Sequence, residues 1–218
     1  MRSVFNRSVG RRFNLRFMSV TKYIYSQFER PRGLLGRVAG YIMATRPSNI
    51  ERNEWVLSLL GIGPTDRVLE IGFGPGIAAG KAATQAAELI AIDRSALMVR
   101  QAARRNKKLI EQGKLKLLLG SADAPDVVLG KFDRIFSVNV VQFWKEPALV
   151  FGKLRSMLKP GGVVVTAYMP RHRGATNEDA HAKAKQIESW LRKAGFLQIE
   201  TQTKLMKPVA VVAVVAKY

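Results

Sequence analysis

The stretch VLEIGFGPG, residues 68–76, decides the reading of this chain: an apolar run breaks into three glycines and one proline within the five positions 72–76. Apolar residues followed at once by glycines mark a buried strand that ends in a tight turn. Such a turn leaves bare backbone against which a ligand can lie. Two kinds of ligand compete for it. Dinucleotides use a G-x-G-x-x-G pattern, in which N–H groups at a helix start cradle the pyrophosphate. Here the glycines run G-x-G-x-G, and Gly80 comes four residues after Gly76, so the third position of that pattern fails. Pro75 also removes one N–H from the cradle. Glu70, at the strand end, repels a diphosphate and attracts an ammonium group. The loop reads as a seat for a ligand with a cationic group and no phosphates.

Outward from this loop, strands and helices alternate. RVLEIG (67–72), ELIAID (88–93), KLKLLL (114–119), FDRIFSVN (132–139) and GGVVVTAY (161–168) read as strands, with helices over 77–86, 95–108, 147–158 and 178–194. The helix at 147–158 is expected to bury Val150, Phe151, Leu154 and Leu158. That at 178–194 buries Ala180, Ala184, Ile187 and Leu191, and Gly195 stops it. Before the glycine loop, residues 31–61 are helical in pattern, with Ser48 and Glu51 at capping-box spacing and Gly61 as a stop. Two strands follow the last helix, FLQIETQ (196–202) and PVAVVAVVA (208–216). The short link between them, with Pro208, forces an antiparallel hairpin, since a parallel crossover needs a dozen residues or more. The Val/Ala run predicts a strand covered on both faces. The fold class is α/β: a three-layer, Rossmann-like, doubly wound sheet of seven strands with an antiparallel C-terminal hairpin strand.

Glu-x-Gly-x-Gly-x-Gly at 70–76 resembles the cofactor signature of the class I S-adenosylmethionine-dependent methyltransferases. That cofactor carries an ammonium, a carboxylate and a sulfonium, and no phosphate. Asp93 ends the second strand, where the family's acidic residue holds the ribose hydroxyls. ADA at 122–124 follows the third strand, where an Asp-Ala pair reads the adenine. FDRIFSVNVVQFW and LRSMLKPGGVVV are similar to the fourth- and fifth-strand motifs of the small-molecule "type 11" subgroup. The resemblance covers roughly 65–168, and the terminal hairpin extends it. It implies the strand order 3-2-1-4-5-7-6 and cofactor contacts from Glu70, Gly72, Phe73, Gly74, Gly76, Asp93, Arg94, Ala122, Asp123, Ala124, Asn139 and Val140. Asp93 has a second reading as an acid at a helix start capped by Ser95.

Methyl transfer is a displacement at a carbon the cofactor has already activated, so the protein must orient a nucleophile and exclude water. The loop after strand four, VVQFWKEP, lacks the histidines common in the type 11 group and the Asn-Pro-Pro-Tyr signature of base amino-group methylases. It leaves the accepting atom open. Candidate substrate residues are Phe143, Trp144, Arg171, Tyr23 and Tyr25, the last two with Phe28 as a lid; His172 is a weak candidate for a general base. Trp144 has the competing role of packing on the next helix.

The chain has 218 residues, 36 Lys+Arg against 16 Asp+Glu and a net charge of +20, which favours anionic partners. It has no cysteine, which excludes disulfides and thiolate chemistry, and its two histidines make no metal cluster. Residues 1–17 read as a basic tail, 18–62 as an N-terminal helical lid and 63–218 as the cofactor-binding domain. The expected function is methyl transfer to a small molecule in the cytoplasm, with S-adenosyl-L-methionine as cofactor and no metal. Two alternatives compete. The basic run 94–116 suggests an RNA methyltransferase. The five arginines of residues 1–17 suggest a non-catalytic cofactor-binding protein at an anionic membrane surface.

Overall fold

Pro47 opens the helix that precedes the glycine loop, and its placement corrects the reading of that segment. The computed structural model describes residues 38, 40–42, 44–121 and 130–218. Helix α1 spans Pro47–Leu60 with Arg46 as its N-cap, so Ser48 lies inside the first turn and forms no capping box with Glu51. Proline at the first helical position fixes φ and has no N–H to leave unsatisfied, so it sets the start ahead of Ser48. Gly61, at φ 58°, closes the helix as expected.

The alternation then runs β1 (Arg67–Ile71), α2 (Ile77–Gln85), β2 (Glu88–Asp93), α3 (Ala96–Arg105), α4 (Lys107–Glu111), β3 (Leu115–Leu119), β4 (Phe132–Val138), α5 (Pro147–Ser156), β5 (Leu158–Tyr168), α6 (Asn177–Lys193), β6 (Gln198–Lys204) and β7 (Val211–Lys217). The sheet order is β3-β2-β1-β4-β5-β7-β6. The first five of these strands are mutually parallel, and β7 runs antiparallel to both β5 and β6. This is the doubly wound sheet the sequence predicts, with the hairpin strand inserted. β7 is buried along almost its whole length, as its unbroken Val/Ala run requires.

Two helix boundaries differ from expectation. The helix expected over 95–108 is two, broken at Asn106, whose amide donates to the carbonyls of Gly76 (2.9 Å) and Ala102 (3.1 Å). An asparagine side chain that bonds backbone carbonyls competes with continuation of the helix. Leu158 is buried, but on β5 rather than on α5, because Pro160 biases Lys159 toward extended backbone. Each face of the sheet has its own core. Phe132, Phe151, Ile187 and Leu191 pack with α5 and α6; Val56, Leu60, Ala79, Met98 and Phe136 pack with α1, α2 and α3. Helix α1 thus shares the domain's core and lies across β4 and β5. Among the described residues, no helix is long and apolar enough to cross a membrane.

Candidate active site

The carboxyl ends of β1, β2 and β4 open into a cleft of about 1000 Å³, including its mouth. Its floor is the glycine loop. Gly72 has φ 75° and donates its N–H to the Ile92 carbonyl at 2.7 Å, extending the β1–β2 ladder by one residue. A methyl group on Gly72 would run into Val140, so the loop passes β4 at a distance only glycine allows. A methyl group on Gly74 would meet nothing within 4 Å, which leaves open space over its backbone. Arg105 of α3 donates to the Pro75 carbonyl, and Asn106 holds that of Gly76, so part of the basic run 94–116 braces this turn.

Glu70 and Asp93 stand on adjacent strands, Glu70 opposite Ala91 and Asp93 two residues further along β2. Glu70 is 3% exposed and its Oε2 has no hydrogen-bond partner. Burial, then the charge of Asp93, pushes its carboxyl up to about 8. Asp93 accepts the Ser95 N–H on Oδ1 and the Gly74 N–H on Oδ2, both at 2.8 Å. Burial raises its carboxyl as well, opposed by those two N–H groups and by Arg94. Ser95 caps α3 by accepting from Met98 N–H, so Asp93 holds the loop and the helix start together. A buried pair of carboxyl groups, one with an orphaned oxygen, fits a cationic ligand group and disfavours phosphate.

The opposite wall combines β4 and α1. Asn139, at φ 54°, donates to the Met169 carbonyl (2.8 Å) and accepts the Met169 N–H (2.9 Å), clasping β4 to β5 beyond their ladder. Val140, Phe143 and Trp144 line the cleft beside it. Arg94 lies 5.5 Å from the Phe143 ring centre, and Trp144 packs edge-on against Phe151 of α5 at 5.2 Å. Trp144 thus packs on the next helix and also lines the cleft.

Of the sequence candidates, Glu70, Gly72, Phe73, Gly74, Asp93, Arg94, Asn139, Val140, Phe143 and Trp144 line one cleft, and Gly76 closes the turn beneath it. Arg171 lies outside the lining and donates to Asn49 Oδ1 at 2.6 Å and to Ser48. His172 pairs with Asp179 at 3.3 Å, half-exposed at the start of α6. Tyr23, Tyr25, Phe28, Ala122, Asp123 and Ala124 lie outside the described residues. Sequence reading missed Asn49, Arg52 and Asn53 of α1, which line the cleft. An arginine and two asparagines in a helix carry no motif, and only tertiary packing brings them here.

A family profile described as a methyltransferase domain matches residues 68–162. The uncharacterized methyltransferase YdaC of Bacillus subtilis is 31% identical over 182 residues, 83% of this chain and 97% of its own length. The fold is that of the N-methyltransferase NodS from Bradyrhizobium japonicum, solved with S-adenosyl-L-homocysteine (18% identity, TM-score 0.66, 80% of this chain and 89% of that one). It is also that of a SAM-dependent methyltransferase from Aquifex aeolicus (20%, 0.66, 83% and 97%).

Proposed function

This chain belongs to the class I S-adenosylmethionine-dependent methyltransferases, and on that premise we propose that it methylates a small molecule held in the cleft above β1, β2 and β4. One observation carries the site assignment: the orphaned, buried Glu70 beside an anchored Asp93 at the foot of the glycine loop. Glu70 receives the cofactor's ammonium. Asp93 keeps lone pairs free beyond the two N–H bonds it accepts, and these take the ribose hydroxyls. Gly72 and Gly74 let the cofactor lie against backbone, and Asp123 is assigned to the adenine. S-adenosylmethionine, when bound, supplies a methyl group activated by its sulfonium. The protein's part is to orient the acceptor and exclude water, for which Val140, Phe143 and Trp144 form the apolar wall.

The apolar wall of Val140, Phe143 and Trp144 beside the glycine loop supports a small acceptor next to the cofactor. The test is a methyl-transfer screen with labelled cofactor against a metabolite extract and total RNA in parallel. Label in the extract is expected; label in RNA alone overturns the reading. Asp93→Ala is expected to weaken S-adenosylhomocysteine binding by about tenfold or more, and Trp144→Ala by less, measured by calorimetry. Equal losses would remove Asp93 from its assigned role.

A further inference from the structure

We propose that the methyl acceptor carries an anionic group, a carboxylate or phosphate, and that Arg52 of α1 is its seat. Arg52 lines the cleft while only 7% exposed. Its one hydrogen-bond contact among the described residues is from Nη1 to the Met169 thioether at 3.9 Å, a weak acceptor, and its buried Nε has no partner. A buried guanidinium with no carboxylate bonded to it is costly unless an anion meets it there. Its neighbours make the need greater. Burial, then the charges of Arg171 and Arg46, lowers its proton affinity to about 9. Arg171 is tied to Asn49 and Ser48, and Glu51, next in the helix, turns instead to Lys204 at 3.1 Å. The described structure thus gathers cations at this wall and supplies no carboxylate to Arg52.

The cofactor's own carboxylate is the rival occupant. It shares a carbon with the ammonium assigned to Glu70, so its holder would lie within reach of Glu70's charge. β4 stands between β1, which carries Glu70, and β5, beyond whose end Met169 meets Arg52, so the two charged groups enter the cleft from strands that are not neighbours. The cleft has two separate poles: an acidic one at β1–β2 and a basic one where α1 meets Met169 at the end of β5. A guanidinium at the second pole recognises carboxylate or phosphate by paired hydrogen bonds.

The inference rests on the small-molecule reading, and the two fail separately. Inorganic phosphate and acetate are titrated into the full chain saturated with S-adenosylhomocysteine, for the native protein and for Arg52→Met. One of the two anions is expected to bind the native complex and to bind Arg52→Met at least about tenfold more weakly, with S-adenosylhomocysteine affinity kept within about threefold. Arg52→Lys should recover part of the anion binding. Without ligand, Arg52→Met should melt no lower than the native chain, since it removes an uncompensated buried charge. Labelled product from the metabolite extract should be retained on an anion exchanger. The proposal is overturned if neither anion binds the native complex. It is equally overturned if Arg52→Met leaves anion binding unchanged or loses S-adenosylhomocysteine affinity instead. A product that contains no carboxylate or phosphate would also end it. Label in RNA alone ends the small-molecule reading, whatever the anions do.

Discussion

Glu70 holds a proton where an ordinary glutamate would not, and this has a sign that can be measured. Its carboxyl is pushed from 4.5 to about 8 in the folded chain. Below the lower value both folded and unfolded states are protonated. Between the two, the unfolded chain releases its proton and the folded chain keeps it, so stability falls as pH rises and levels off above the upper value. Glu70→Gln is expected to flatten that decline in a series of thermal melts from acid to mild alkali. A cation arriving at Glu70 favours the charged form. Binding of S-adenosylhomocysteine near neutral pH should therefore release a proton, seen as buffer-dependent heat and lost in Glu70→Gln; buffer-independent heat in the native chain would contradict this. Arg52 is the mirror case, a base whose proton affinity burial lowers. The two differ in legibility. Glu70 was readable because it precedes glycines in a strand, where local spacing carries the meaning. Arg52 was not, because its role comes from what the helix lies against.

At the scale of elements, the turn between β1 and α2 is held from outside as much as by its own glycines. Gly76 packs so closely that an added methyl group would sit 2.6 Å from Ala102, and Asn106 bonds the Gly76 carbonyl across the break between α3 and α4. Asn106→Ala removes one of the two bonds to that carbonyl, the Gly80 N–H keeping the other, and is expected to cost about 1 kcal/mol in denaturant melts. Gly72→Ala is more severe, because it faces both the Val140 side chain and a positive φ. Adding Val140→Ala relieves only the clash, so the double variant should regain part of the stability and not all of it. A full recovery would show that backbone strain contributes nothing there. The strands, their order and the antiparallel insertion were legible because buried parallel strands write themselves as unbroken apolar runs and a short link forbids a crossover. The break at Asn106 was hidden, since α3 and α4 share one apolar period and only the side chain's choice of carbonyls divides them. Pro47 is itself a start signal, which the capping-box reading of Ser48 and Glu51 passes over.

Across the whole molecule, a net charge of +20 attracts any polyanion, so RNA binding alone discriminates little. The small-molecule reading expects association that is blind to sequence and lost near physiological salt; tight binding that persists there would favour an RNA substrate. Hydrogen bonds also run beyond the strand ends along one rim of the sheet. Gly72 bonds Ile92, Gly120 bonds Asp93, Asn139 bonds Ala167, and the Asn139 amide clasps Met169. The floor of the cleft is thereby the continuation of the sheet rather than a loop resting on it. On heating, the floor has no cheaper way to open than for the strands themselves to part. Amide protons of Gly72, Gly120 and Asn139 should exchange with the slowest class in the molecule, and loss of ligand binding should coincide with loss of the sheet's circular dichroism.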